Sequence, residues 1–151
     1  MFALFDDDIN SFIKKFFMAV IATVDGEGQP STSTIFYVLA RKDVLHFMTK
    51  AQTIKSANLK SNSKVALSIV DKKEPVAVNL VGSAVEVTDP SERDEIITSV
   101  SKVASDNLQD LAPIVKLDRG GFQVYKLTPA SAVMTDFTKP MGAVKEDKKK
   151  F

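Results

Sequence analysis

The chain has 151 residues, 44% of them apolar and 26% charged, a composition typical of one globular domain and unlike that of a disordered or fibrous protein. Its 20 basic and 19 acidic side chains leave a net charge of +1, which argues against the broad positive field that attracts nucleic acid. Because the chain has no cysteine and one histidine, disulfides and thiolate nucleophiles are excluded and a zinc or other metal site is not expected.

The N-terminal residues MFALFDDDINSF carry acids where a secretory signal has a basic region, and no run of about 18 apolar residues occurs in the chain. We therefore expect a cytoplasmic protein that has no membrane segment. Acids at positions 6–8, followed by apolar residues at helical spacing, predict an amphipathic helix. The aromatic residues on it, Phe12, Phe16 and Phe17, are interpreted as core or dimer contacts.

Short apolar runs separated by turn residues predict a series of antiparallel strands. The predicted strands are 18–24, 31–40, 44–49, 64–71, 76–88 and a final pair on either side of Thr128-Pro129. Gly82, inside the long fifth strand, predicts a bend or bulge. Six or seven such strands hide their edges best by closing, so we predict a mainly β (α+β) fold, an antiparallel β-barrel with peripheral helices.

Two more helices are predicted among the strands. Asp89-Pro90-Ser91 is typical of a helix start, and the apolar residues that follow it have helical spacing. A shorter helix is predicted over 51–61. We expect a single domain over residues 1–137 and a tail over 138–151.

The short helix carries two lysines that face different directions. At about 100° per residue, Ala51, Lys55 and Leu59 fall on one row, whereas Lys60 lies about 140° from Lys55. Lys60 is therefore interpreted as a surface charge. Lys55 lies on the side that should pack against the barrel, where an unpaired ammonium is costly, so an anion is expected beside it.

The start of this helix favours a phosphate as that anion. Free backbone N–H groups and the positive end of the helix dipole attract negative charge, and the hydroxyls of Thr49 and Thr53 can donate to it. An alternative stays open at this point, in which the stem of Lys55 lies on the core and its ammonium reaches water.

Four segments now combine into a recognisable order. They are the turn and strand GQPSTSTIFYV, the pair Met48-Thr49 followed six residues later by Lys55, the strand VNLVGSAVEV and the strand GGFQVYKLTP. In order and spacing they resemble the FMN-binding split barrels related to pyridoxamine 5′-phosphate oxidase, over most of residues 12–137. In those oxidases the lysine at this spacing holds the flavin phosphate.

The resemblance implies an FMN cofactor and a homodimer with the flavin at the subunit boundary. The cofactor-binding residues that it implies are Ser33, Thr34, Ile35, Met48, Thr49, Lys50 and Lys55. Ser33 and Thr34 would donate to the flavin ring, and Lys50 would supply part of the charge that holds the phosphate.

Departures from the family pattern bear on activity. Ser33 and Ile54 stand where the oxidases have arginines, and Val38 stands where they have a lysine. The basic C-terminal segment that grips the pyridoxine phosphate in the oxidases has no counterpart. True pyridoxamine-phosphate oxidase activity is therefore not expected. His46 is not favoured as a proton-transfer residue, since it faces away from the Phe47 side of its strand, and no catalytic residue is assigned.

We therefore expect an FMN-binding protein, a flavin-dependent oxidoreductase acting on an unidentified small molecule. Two alternatives remain from the sequence. One is a flavin- or haem-binding protein without turnover, and the other is a reductase that uses a deazaflavin.

Overall fold

Strands dominate the computed structural model, which describes residues 7–41, 44–108, 121–139 and 143–148. Its elements are α1 (Asp7–Lys15), β1 (Met18–Val24), β2 (Pro30–Arg41), β3 (Val44–Lys50), α2 (Ile54–Ser61), β4 (Lys64–Asp71), β5 (Val76–Glu86), α3 (Pro90–Asn107), β6 (Phe122–Asp136) and β7 (Ala143–Lys148). Asp89 caps α3 by accepting from the N–H of Glu92, as the sequence predicts. Within the described ranges, no helix has the length and apolar character needed to cross a membrane.

Strands β1 to β6 form a closed antiparallel barrel in the order β3-β2-β1-β4-β5-β6. The barrel closes where β3 pairs with β6, from Leu45–Leu127 to Lys50–Phe122. Because closure pairs two edges that a flat sheet would leave exposed, it reduces the length of unpaired strand edge. The predicted antiparallel barrel with peripheral helices is thereby confirmed.

Strand β6 corrects one prediction and confirms another. The predicted strand pair on either side of Thr128-Pro129 is wrong, because β6 is one continuous strand of 15 residues. Pro129 has no N–H to donate, and it is tolerated because the register with β5 shifts between Val81 and Gly82, opposite this point. The predicted bend or bulge at Gly82 is confirmed as a register shift, and the extra residue, Ala130, lies on β6 opposite it.

The length of β6 also gives it a third neighbour. Its second half, Ser131–Asp136, pairs with Ala143–Lys148, which forms β7. The segment 138–151, which the sequence predicts to be a tail, thus contains a strand that extends the sheet. The domain boundary at residue 137 stays a prediction.

Buried side chains form two clusters, one inside the barrel and one between the barrel wall and α3. Strand β3 contributes side chains to both clusters, because Leu45 and Phe47 point into the barrel while Met48 points outward beneath α3. Phe12 and Phe16 of the α1 region pack against the barrel interior, with ring centroids 4.9 Å apart. Each fully buried large apolar side chain contributes roughly 1.5–3 kcal/mol, so both clusters stabilise the fold.

Replacing Gly82 by alanine should destabilise the barrel. A Cβ at this position would overlap the carbonyl oxygen of Thr128 and would lie 2.9 Å from the Cα of Pro129, both backbone atoms that have little freedom to move. We expect Gly82→Ala to lower the free energy of unfolding by about 1–3 kcal/mol in urea titration. Gly26→Ala is the matched control, because its Cβ meets nothing within 4 Å and stability should change by less than about 0.5 kcal/mol. Equal stabilities of the two variants would contradict this account of the bulge.

Candidate functional site

The ladder between β2 and β3 joins only part of the two strands. It extends from the Arg41–Val44 pair to the Tyr37–Phe47 pair. Further along, Pro30–Phe36 of β2 pairs with β1, and Met48–Lys50 of β3 pairs with β6. The barrel is therefore open between these two segments, and we call this opening the split.

Backbone groups of β2 face the split. The N–H of Tyr37 donates to the carbonyl oxygen of Phe17, on the β1 side, at 2.9 Å. Because the backbone groups of successive residues in a strand point to opposite neighbours, those of Thr34 and Phe36 point toward β3. One wall of the split thus offers backbone donors and acceptors.

The turn between β3 and α2 borders the other side of the split. Gln52 has a φ of 64°, in the left-handed region, which a helix cannot include, so α2 begins at Ile54. The predicted helix start at Ala51 is therefore wrong. Ala51 lies exposed in the turn and its N–H donates to the carbonyl oxygen of Gly121 at 2.8 Å.

Thr53 caps α2 and uses its hydroxyl to do so. Its Oγ1 accepts from the N–H of Ser56 at 3.2 Å and donates to the carbonyl oxygen of Lys50 at 3.1 Å. Thr49 is buried, and its Oγ1 lies 3.3 Å from that of Thr53. Both hydroxyls therefore have partners within the protein, which weakens the prediction that they donate to a phosphate.

The strongest remaining donors to an anion are backbone groups and a cation. The N–H groups of Ile54 and Lys55 come first in α2, before any intrahelical hydrogen bond can form, and they lie at the positive end of the helix dipole. The Lys55 side chain is half-buried, and burial lowers the pKa of its ammonium below the ordinary value of 10.5. A partly desolvated ammonium in the same helical turn as two free backbone donors supplies the chemistry that a phosphate group requires.

The predicted binding residues differ in what they can offer to a ligand. The side chain of Met48 is 8% exposed beneath α3, so this residue can contribute backbone groups but not side-chain contacts. The side chain of Ile35 is 3% exposed inside the barrel, and its backbone groups, like those of Tyr37, point toward β1, which weakens the prediction that Ile35 contacts a cofactor. Thr34 and Lys50 are exposed, and Ser33 is half-buried. The structure brings Met48, Thr49, Lys50 and Lys55 together around the turn and places Ser33, Thr34 and Ile35 on β2 at the split. Their roles as cofactor ligands stay predictions.

A set of polar contacts that the sequence reasoning missed attaches α2 to the barrel. Ser56 Oγ donates to Gln123 Oε1 at 2.5 Å. Asn58 Nδ2 donates to Thr23 Oγ1 at 3.0 Å and to Ser31 Oγ at 3.1 Å. A signal for these contacts was present in the helix sequence IKSANLKS, which has too few apolar residues for an ordinary core-facing stripe.

His46 lies away from the split. It is 7% exposed in β3, on the strand face opposite to Phe47, as the sequence predicts. The nearby Phe47 ring stacks on Tyr125 inside the barrel at a centroid distance of 5.3 Å. The imidazole is thus buried beside the paired part of the β2–β3 ladder, where His46 lies opposite Val38.

Comparison with known proteins identifies a family for this arrangement. Residues 5–135 match the family model described as pyridoxamine 5′-phosphate oxidase. A search of curated proteins finds none whose sequence matches the chain.

Several solved structures share the fold. One is a Clostridium acetobutylicum protein related to general stress protein 26 of B. subtilis, of the pyridoxinephosphate oxidase family, with a TM-score of 0.70 and 15% identity over 92% of each chain. An F420 reductase has a TM-score of 0.66 and 20% identity over 82% of this chain and 94% of its own. HutZ, the haem storage protein of Vibrio cholerae, has a TM-score of 0.63 and 19% identity over 82% and 89%. At these identities the likeness concerns the fold alone.

The pKa of Lys55 should respond to phosphate. Since burial disfavours the charged form, the ammonium should titrate below 10.5, and a bound anion should raise its pKa because the anion stabilises that charged form. Carbon NMR of the lysine ε-methylene groups across a pH series, with and without inorganic phosphate, measures both effects. Lys55→Arg identifies the signal by its loss. An ordinary pKa that phosphate leaves unchanged would mean that the ammonium lies in water and has no anion site.

Proposed function

Because the chain belongs to the pyridoxamine 5′-phosphate oxidase family, we propose that it binds FMN at the split between β2 and β3 and acts as a flavin-dependent oxidoreductase. The observation that carries this proposal is the half-buried Lys55, a cation in the first turn of α2, where the N–H groups of Ile54 and Lys55 have no intrahelical partner. In the proposed complex these groups hold the phosphate of FMN. Lys50, exposed at the end of β3, adds a second positive charge.

The ring of the flavin lies along β2 in this proposal. Support comes from the backbone groups of Thr34 and Phe36, which point toward the split and can pair with the polar edge of the ring. Ser33 lies on the inner face of β2 with Ile35, and Thr34 lies on the outer face, so each hydroxyl can donate to the ring only from its own side of the strand. When bound, FMN supplies the hydride or electron transfer, and the residues of this chain bind and orient it.

Oxidation of pyridoxamine phosphate is not part of the proposal. Ser33, Val38 and Ile54 replace basic residues of the oxidases, and Val38 is packed against the apolar cluster beneath α3, where a charge would be costly. A phosphorylated substrate would lack the charge-assisted partners it needs. We propose instead a small-molecule substrate of another class.

Two other cofactors remain as outcomes of a test. A deazaflavin, suggested by the F420 reductase, has a phosphate and a flavin-like ring, so it could use the same groups. Haem, suggested by HutZ, is less well supported, because the single histidine is 7% exposed within β3 and does not face the split. The absorption spectrum of the purified protein separates the three, since a flavin, a deazaflavin and haem with its intense Soret band absorb differently.

We also propose a homodimer. The outer faces of β1, β4, β5 and β6 carry two adjoining hollows of about 320 and 480 Å³, both lined by Ala22, Ala66 and Val81. Val20 and Val81 are 45% and 48% exposed there, which is unusual for valines grouped on a sheet. Thr32 lines the first hollow, so a second copy on this face would lie close to the β2 side of the split.

Lys55→Ala should weaken FMN binding about ten- to a hundredfold, because removing a charged hydrogen-bond partner costs about 1.5–3 kcal/mol. Lys60→Ala, on the exposed side of the same helix, is the matched control and should leave the affinity unchanged. Riboflavin has no phosphate and should bind both variants equally. Flavin fluorescence titration measures all four affinities. Equal FMN affinities of the two variants would mean that Lys55 does not bind the phosphate, and Lys50 would be the next residue to test.

Val81→Asp should dissociate the homodimer, because it puts a charge into the proposed apolar interface. Val85→Asp is the control, since Val85 lies on the same strand, is 63% exposed and does not line either hollow. Sedimentation at micromolar concentration should find a dimer for the wild type and the control and a monomer of 16.5 kDa for Val81→Asp. A wild-type monomer would overturn the proposal, and dimers of all three proteins would place the interface on another face.

A further inference from the structure

Helix α2 is attached to the barrel mainly by polar contacts. Its buried residues are Ser56, Asn58 and Leu59, so a single apolar side chain of the helix joins the barrel core. Most surface helices are oriented by a broad apolar stripe, and α2 does not have one. The position of the helix therefore depends on directional hydrogen bonds.

Asn58 makes the most extensive of these contacts. Its Nδ2 donates one hydrogen bond to Thr23 Oγ1 of β1 and another to Ser31 Oγ of β2, at 3.0 and 3.1 Å. Thr23 and Ser31 are cross-strand partners, and their hydroxyl oxygens are 3.3 Å apart. Both amide hydrogens are thus used, in a site where Asn58 is 6% and Thr23 is 1% exposed.

The same residue links the two sides of the proposed cofactor site. Asn58 follows Lys55 by three residues, so the two side chains are neighbours on the helix surface. Ser31 precedes Ser33 by two residues, so the two lie on the same face of β2. The contact between Asn58 and Ser31 therefore sets where the cationic helix lies relative to the strand that borders the ring.

We propose that Asn58 is a positioning residue for the cofactor phosphate, which holds the Lys55 ammonium at the correct distance from the ring-binding part of β2. This inference rests on the proposed binding of FMN. Asn58 does not touch the cofactor and acts through Lys55. Its removal frees α2 to shift, whereas β2 keeps its ladder with β1.

The effect of Asn58→Ala on flavin affinity should therefore depend on whether the flavin carries a phosphate. Asn58→Ala should weaken FMN binding about tenfold, since two neutral hydrogen bonds that orient the cation are lost, while riboflavin affinity should change less than about twofold. A residue that only stabilised the fold would weaken the binding of both flavins. Ser31→Ala removes one acceptor at a half-buried position and should reproduce part of the FMN effect, which keeps the test available if Asn58→Ala folds poorly.

A double-mutant cycle tests whether Asn58 acts through Lys55. In a Lys55→Ala background, Asn58→Ala should change FMN affinity less than about twofold, because the group that it positions is absent. Ser61→Ala is the control on the same helix, since Ser61 is exposed and its Oγ donates to the backbone carbonyl oxygen of Asn58 and not to the barrel. It should bind FMN and riboflavin as the wild type does.

Titration of FMN and riboflavin into these variants distinguishes the two proposals. Additive effects of Asn58→Ala and Lys55→Ala, or equal losses for the two flavins, would overturn the positioning role and leave FMN binding intact. A wild-type protein that binds neither FMN nor riboflavin would overturn the proposed function and this inference with it.

Discussion

Pairing of β3 with β6 is the constraint on which the rest of the structure depends. It closes the barrel over six consecutive pairs, from Leu45–Leu127 to Lys50–Phe122. Strand β3 stays paired with β6 up to Lys50, its last residue. Its pairing with β2 therefore ends at Phe47. Closure of the barrel on one edge of β3 therefore opens the split on the other edge, and the polar backbone of β2 faces a gap instead of a neighbouring strand.

The turn after β3 shows how the chain completes this end of the barrel. Gln52 takes up a left-handed conformation, and Thr53 then caps a helix that crosses toward β1 and β2. Because the Thr53 hydroxyl serves as the cap, the free N–H groups are those of Ile54 and Lys55. Local backbone geometry thus decides which donors remain available to an anion.

The polar contacts that attach α2 to the barrel affect how accurately the helix is positioned as well as how stably it is held. Hydrophobic contacts tolerate small shifts, whereas hydrogen bonds near 3 Å lose strength as distance and angle change. Asn58 and Ser56 join α2 to β1, β2 and β6 through such contacts. Arginines that the oxidases use are replaced here by Ser33 and Ile54, so in the proposed complex accurate placement of Lys55 takes over part of their role.

Much of the architecture follows from the sequence by itself. Alternating apolar residues and turn signals predict the strands, the capped helix after Asp89 and the bulge at Gly82, because each depends on local backbone preferences. The prediction that Lys55, at its spacing from Thr49, holds a phosphate also comes from the sequence, through resemblance to a family. One error arises where a distant neighbour intervenes. Pro129 looks like a break in the sequence, but the register between β5 and β6 shifts there, with Ala130 as the extra residue, and β6 continues.

Tertiary structure alone decided the other features of the candidate site. Whether the side chains of Met48 and Ile35 are accessible to a ligand depends on α3 and on the barrel interior, which are formed by residues far away in the sequence. The contacts of Asn58 join residues 35 and 27 positions apart, and no local pattern contains that pairing. Hydrogen bonds between side chains require the two partners to meet within about 3 Å, and only the closed barrel brings these strands and this helix so close.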